Sequence, residues 1–370
     1  MSLQAMLDKI TADAVAQGTI VGGAVIVARA GQMVYRESFG AADLASGRKA
    51  GFDTIYRLAS VTKPIVSLTA LALCDAGRLS LEDPVADHLP YFTPPYRGTI
   101  PTIRIRHLLT HTAGLSYGYG PETGVATGLA DDALDYRTNF TRLAAQELRY
   151  EPGTSWEYSV AIDVLGAVIA QVFGGTLEEA VAHFVTQPLG MADTSFHIRD
   201  PMRLAANYAN TEAGPVPMGD NYLHRNADGT QVLFSPCRAL NPKAFQAGGA
   251  GMVGTPDDLF TFFDHLRAGA PRLLQPATFA LASSPQTGAV WRVPGCKFSY
   301  FSDIIVDPQA ANTPEGAGTL GWGGIYGHSW FVDPARELTV LMMSNTAPAG
   351  VDGAYVDAIR DAVYASLKGD

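Results

Sequence analysis

Ser60-Val61-Thr62-Lys63-Pro64-Ile65-Val66-Ser67-Leu68-Thr69-Ala70-Leu71-Ala72-Leu73 places a hydroxyl and an amine one helical turn apart at the head of an apolar run. On an α-helix, residues i and i+3 share a face with β-carbons about 5–6 Å apart, so Lys63 can reach the Ser60 hydroxyl. The run predicts a buried helix that ends near Gly77, the residue type expected just past a C-terminus. Pro64 is tolerated because its missing N–H falls near the first turn. A serine at such an N-terminus feels the positive end of the helix dipole, which favours a developing anion. Neither group suffices alone: a serine hydroxyl is a weak nucleophile until a neighbour takes its proton, and an exposed lysine is already protonated at neutral pH. The pair needs a desolvated setting, or a third group that shares the proton.

Spacing by itself decides nothing, because Ser46-Gly47-Arg48-Lys49 has the same spacing. That copy lies in a polar, glycine-containing stretch that reads as a loop, which would not hold both side chains on one face.

Composition narrows the function classes. The chain has 370 residues, 47% of them hydrophobic, enough for one large domain or two sharing an interface. A formal net charge of -10 and the lack of any Lys/Arg-rich run argue against nucleic-acid binding. No apolar stretch approaches the ~20 residues of a membrane span, and the N-terminus lacks the basic and apolar regions of a secretory signal. Cys74, Cys237 and Cys296 are scattered and odd in number, which suits free thiols in a reducing compartment. The chain therefore reads as cytoplasmic, with a removed leader left open.

A helix is expected from about Leu3 to Gln17, then a hairpin from Gly23–Ala28 and Met33–Phe39 turning at Arg29-Ala30-Gly31-Gln32. From Ser60 to about Gly190 the pattern is mostly helical, with buried helices at 160–173 and 177–186. Residues 205 to 250, rich in Asn, Pro and Gly, read as a long surface excursion near the site. Strands return at Phe301–Val306, Ser329–Val332 and Leu338–Met343, before a last helix over 351–367. The class is α+β: one antiparallel sheet built from both termini and flanked by helices, with an inserted helical region. The expected division is 1–58 with 245–370 as the sheet domain and 59–244 as the helical one, the site lying between them.

Two further stretches offer partners for Ser60. In Glu151-Pro152-Gly153-Thr154-Ser155-Trp156-Glu157-Tyr158-Ser159-Val160, Tyr158 stands between a Pro-Gly turn and an apolar helix. A positive neighbour favours phenolate, so Tyr158 and Lys63 could pass the serine proton between them, although one tyrosine of fifteen is as readily a core or rim residue. Leu320-Gly321-Trp322-Gly323-Gly324-Ile325-Tyr326-Gly327-His328 is dense in glycine, which in a strand marks a bulge or a close backbone approach. Acyl transfer needs such an approach, because two backbone N–H groups must point at the oxyanion; those of Ser60 and Ile325 are the candidates. A packing-driven glycine strand is the alternative.

Together these pieces resemble the serine β-lactamase and penicillin-binding protein superfamily, whose signature is S-x-x-K, then S-D-N or an equivalent, then K-T-G. Ser60 to Lys63 matches the first element, Tyr158-Ser159-Val160 looks like the Tyr-x-Asn element of the class C branch, and Trp322-Gly323-Gly324 occupies the K-T-G place. Arg106–Leu115, Gln187–Met191 and Gly248–Met252 also look like this branch. The resemblance implies the β-lactamase/transpeptidase-like fold, an acyl-enzyme mechanism and the roles of Ser60, Lys63 and Tyr158. Trp322 replaces the lysine that suits a substrate carboxylate, and Val160 replaces an asparagine that can hold a substrate amide. Both changes favour an apolar, uncharged acyl group, and the W-G-G element is similar to that of family VIII carboxylesterases.

Gly114-Leu115-Ser116-Tyr117-Gly118 matches the nucleophile elbow G-x-S-x-G, but it lacks the strand before and helix after that this motif requires. His107 and His111 have zinc-ligand spacing without the glutamate of H-E-x-x-H, so they read as structural and no metal is expected. His328, four residues past Gly324, is a further candidate pocket residue. The expected activity is cofactor-free hydrolysis of small neutral carboxylic esters through an acyl-enzyme on Ser60. Open alternatives are a β-lactamase or D-amino-acid peptidase, an acyltransferase, or an inactive ligand-binding module. Oligomeric state is not legible.

Overall fold

The expected hairpin forms from strands Gly22–Arg29 and Gln32–Asp43. Ala30 and Gly31 between them both take left-handed φ, 51° and 74°, as a tight two-residue hairpin turn requires. The computed structural model describes residues 1–130, 134–225 and 231–367. In it the hairpin joins a C-terminal meander through antiparallel pairing of Gly22–Arg29 with Leu338–Ser344, for example Val25 opposite Met342. The sheet order is Cys296–Phe298, Asp303–Ile305, Leu320–Gly324, His328–Asp333, Leu338–Ser344, Gly22–Arg29, Gln32–Asp43, Arg48–Lys49. It is one antiparallel sheet assembled from both ends of the chain, and the α+β class stands.

Both faces of its centre are buried, which is why Gly22–Arg29 and Leu338–Ser344 read as apolar runs rather than alternating ones. On one face Val25, Val27, Val340 and Met342 pack with Leu7 of the helix Leu3–Ala16 and Ile359 of Ala354–Ser366. On the other, Ile26, Leu341 and Trp330 join the large core that runs through the helices Pro256–Arg267, Thr62–Asp75 and Ala161–Phe173. Trp330 stacks on Phe263 at 4.1 Å between ring centres.

The serine lies in a short 3-10 turn, Ala59–Val61, that leads into the helix Thr62–Asp75. Every residue from Thr62 to Leu73 is buried. Burial of one Leu or Ile side chain is worth about 1.5–3 kcal/mol, so Ile65, Leu68, Leu71 and Leu73 together anchor the helix firmly behind the serine. Gly77 follows with φ 66°, as a helix terminator should.

The stretch 205–250 differs from expectation. Tyr208–Thr211 and Gly214–Pro217 form a hairpin that pairs in parallel with Thr346–Ala347, and Tyr222–Arg225 pairs with Gln231–Phe234. Strands of four residues separated by glycine and proline leave too little alternation to read, and the partner of Tyr208 is 138 residues away. Among the described residues no single helix is long and apolar enough to cross a membrane.

Candidate active site

Ser60 is partly exposed at the head of its helix, and the residue before it, Ala59, is held at φ 45°, a strained conformation for a residue with a β-carbon. Lys63 is 2% exposed, yet its ammonium is fully engaged. Nζ donates to Ser60 Oγ at 3.2 Å, to the Tyr117 hydroxyl at 2.9 Å and to the Gly249 carbonyl at 2.7 Å. A lysine ammonium has three donors, and here each has an acceptor, which offsets the cost of burying the charge.

Tyr158 is brought to the same ammonium by a loop pinned at several points. The Gly153 N–H donates to the Thr112 carbonyl at 2.8 Å, and the Glu157 N–H to the His111 carbonyl at 3.1 Å. The Tyr158 ring lies over Lys63 Nζ at 4.6 Å from the ring centre, a cation–π distance. Around it stand His111 at 4.8 Å, Trp322 at 5.0 Å, Tyr117 at 5.3 Å and Trp156 at 6.4 Å between ring centres. Its hydroxyl accepts one hydrogen bond, from the Trp322 indole N–H at 3.2 Å. The phenol hydrogen-bonded to Lys63 is Tyr117, which lies inside a Tyr/Gly loop and was not among the expected site residues.

The two phenols differ in environment. Burial pushes the Tyr117 hydroxyl well above the usual tyrosine range, with Asp163 and then Tyr158 adding to it, so Tyr117 stays neutral and serves Lys63 as an acceptor. Tyr158 is only half-buried.

The glycine strand Leu320–Gly324 runs against the serine turn, and the absence of a β-carbon at Gly324 permits this: one there would run into the Leu58 carbonyl oxygen and crowd Val61. Ile325 follows in the turn before His328, and its N–H has no intramolecular acceptor among the described residues. Trp322 and Gly323 lie partly exposed on the same strand. Behind Trp322, the Arg292 guanidinium sits 5.0 Å from the indole centre and is paired to Asp303 at 3.3 Å.

Two expected pocket residues are placed elsewhere. Val160 is 1% exposed at the start of Ala161–Phe173, where its apolar side chain joins the core rather than a cleft. His328 is also 1% exposed. Its Nε2–H donates to the Arg57 carbonyl at 2.8 Å and its ring meets Tyr56 edge-on, so it buttresses the glycine strand from behind. Burial lowers its pKa to about 4, keeping it neutral. The decoys resolve as expected: Ser116 is buried with Oγ accepting the Gly118 N–H at 2.8 Å, and Ser46 is exposed and donates to Asp43 at 2.7 Å. His107 caps its own helix by accepting the Arg104 N–H at 3.2 Å. His111 is buried, held neutral chiefly by that burial and then by Lys63. It braces Tyr158, contacting Ser159 Oγ at 3.3 Å through Nδ1.

Size does not mark the site: a cavity of about 650 Å³ lined by Asp220, Leu233 and Arg238 holds none of these groups. The convergence of nucleophile, ammonium and phenols does mark it, an arrangement suited to moving a serine proton.

The model of the family described as Beta-lactamase matches residues 7–365. The chain is 44% identical to Esterase EstB of Burkholderia gladioli over 98% of this chain and 96% of that one. Among solved structures it is similar to EstCE1, described as a hydrolase with promiscuous acyltransferase activity, at 40% identity and TM-score 0.94 over 98% of both chains. Simvastatin synthase (LovD) of Aspergillus terreus shares the fold at 22% identity and TM-score 0.78, over 99% of both chains.

Proposed function

The chain belongs to the β-lactamase family and is an esterase within it; from that premise we propose that it cleaves small neutral carboxylic esters through an acyl-enzyme on Ser60, with Tyr158 moving the proton beside the Lys63 charge. The observation that carries the assignment is the buried Lys63 ammonium 3.2 Å from Ser60 Oγ with all three donors engaged. So held, Lys63 acts on Ser60 as a fixed positive charge. Tyr158, whose ring lies over that charge, acts as the phenolate: it takes the Ser60 proton and becomes the neutral phenol. Ser60 attacks the ester carbonyl, and the N–H groups of Ser60 and Ile325 hold the oxyanion, each donor contributing about 2.7–4 kcal/mol. Tyr158 returns the proton to the leaving alcohol. Water repeats the sequence and releases the acid.

Substrate class follows from what lines this place. Trp322 stands where a carboxylate-binding lysine would, and the cation behind it, Arg292, is engaged with Asp303. Beside Ser60, the partly exposed Leu129 and Ile325, packed on the buried cluster of Ala59, Phe234 and Tyr326, offer an apolar surface to a neutral acyl or alcohol group. The 40% identical hydrolase described as a promiscuous acyltransferase supports a second reading, transfer of the acyl group to an added alcohol in place of water.

Intact-mass labelling with a fluorophosphonate, combined with turnover of p-nitrophenyl butyrate, tests the assignment. One adduct on Ser60 and a dead Ser60→Ala variant are expected; an active Ser60→Ala would refute it. Rapid hydrolysis of nitrocefin would refute the substrate class drawn from Trp322. Product analysis with added alcohol decides the second reading.

A further inference from the structure

One fully buried carboxylate near the site has no part in the steps above. Asp163 lies in the first turn of Ala161–Phe173, a helix otherwise made of Gly, Ala, Ile, Val and Leu over its buried face. Its Oδ1 accepts the Gly249 N–H at 3.0 Å, and the carbonyl of that same glycine accepts Lys63 Nζ at 2.7 Å. Its Oδ2 is buried with no hydrogen-bond partner among the described residues. A half-satisfied carboxylate in a core is costly, so packing alone would select an apolar residue here. Gly249 is built around it: a β-carbon at that position would collide with the Asp163 carboxylate and come within 3.1 Å of the Tyr117 hydroxyl. Acid, glycine, phenol and ammonium form one unit that spans four segments of the chain.

We propose that Asp163 is a positioning residue for acyl transfer: its carboxylate holds the Gly249 peptide so that the carbonyl takes a Lys63 N–H, and supplies the negative charge that keeps Lys63 a fixed ammonium. This rests on the assignment of Ser60 and Lys63 above. The ionisable groups that act on Asp163 are Lys63 from the nucleophile helix, Tyr117 from its loop, Tyr136 from the helix Tyr136–Ala144 and Arg238 from the turn Pro236–Leu240. Burial raises the Asp163 pKa to about 6, against the pull of Lys63. The carboxyl therefore gains its proton at higher pH in the folded chain than in the unfolded one, so lowering the pH from 7 to 5 stabilises the fold at this residue while removing the charge that serves Lys63. Stability and rate move in opposite directions there.

Asp163→Asn separates the charge from the hydrogen bond, since the amide oxygen can still accept from Gly249. With p-nitrophenyl butyrate between pH 5 and 9, the variant is expected to lose kcat at least tenfold at pH 7.5, with KM within twofold of the parent. The fall in parent kcat/KM around pH 6 should be absent from the variant, and its Tm at pH 7.5 should equal or exceed the parent's. Unchanged kcat with the same acid limb would overturn the proposal. So would failure of the variant to fold, which would make Asp163 a packing residue. An active Ser60→Ala run alongside would instead overturn the nucleophile assignment beneath it; a dead Ser60→Ala with an unimpaired Asp163→Asn overturns the role of Asp163 alone.

Discussion

Lys63 and Tyr158 lie against each other but are held by opposite means. The lysine sits in a polar nest, each N–H on a fixed acceptor: a hydroxyl, a phenol and a backbone carbonyl. The tyrosine sits in an aromatic box of His111, Tyr117, Trp156 and Trp322, and among the described residues one hydrogen bond reaches its oxygen. A group that must keep its charge is best served by oriented dipoles that saturate it. A group that must gain and lose a proton is best held by its ring, so that its oxygen stays free to change partners.

The sharpest way to break this comparison is to empty the nest. Lys63→Met keeps the volume but removes the charge, and leaves the Gly249 carbonyl and Asp163 uncompensated; kcat/KM for a p-nitrophenyl ester should fall about 10⁴-fold, the upper end for a proton-transfer group. A variant within tenfold of the parent would show the ammonium to be dispensable. Tyr158→Phe keeps the box and removes only the oxygen, so a loss of about 10³-fold with KM little changed is expected. If Tyr117→Phe proved the more damaging, the roles of the two phenols would have to be exchanged.

The scaffold beneath the box extends the contrast to neutral groups. His107 and His328 are both lowered to about 4, chiefly by burial, from an ordinary value near 6.5. Unfolding lets each take up a proton, so stability present at pH 7 is lost as pH falls through 6.5 towards 4, by about 2 kcal/mol per histidine at pH 5, or some 30-fold in the folding constant. Asp163, raised to about 6, opposes part of this. Urea melts at pH 7 and pH 5 should show a smaller stability difference for His328→Gln than for the parent; equal differences would remove His328 from the account.

Smaller still is the single bond into the box. Trp322→Phe deletes the indole N–H to Tyr158 and leaves the ring, which should cost about tenfold in kcat, in the range of one hydrogen bond to a group that becomes charged. A parent-like kcat would leave the box as packing alone. Ser116→Ala, outside both regions, should leave kcat/KM within twofold, because its hydroxyl only caps the Gly118 N–H.

How much was legible depends on how far apart the interacting residues lie. Ser60 and Lys63 could be read directly, because helical geometry relates residues three apart whatever surrounds them. The hairpin after the first helix was legible for the same local reason. Tyr158 and Trp322 needed a resemblance, since nothing within either segment separates a proton-transfer tyrosine from a rim tyrosine. Val160 and His328 were misplaced because chain position next to a motif does not say which way a side chain points: one enters the helical core, the other the back of the sheet. Tyr117 and Asp163 escaped entirely and His111 was read only as structural, each being an ordinary residue until another segment folds onto it.

By itself the sequence determined the strands near both termini, the buried helix behind Ser60, and the spacing of that serine with a lysine, all of them consequences of local periodicity. Only the tertiary structure decided what Lys63 touches, which tyrosine stays neutral and why Gly249 and Gly324 have no side chain. Hydrogen-bond saturation and desolvation are properties of the space where distant segments meet, and that space exists only once the chain has closed around it.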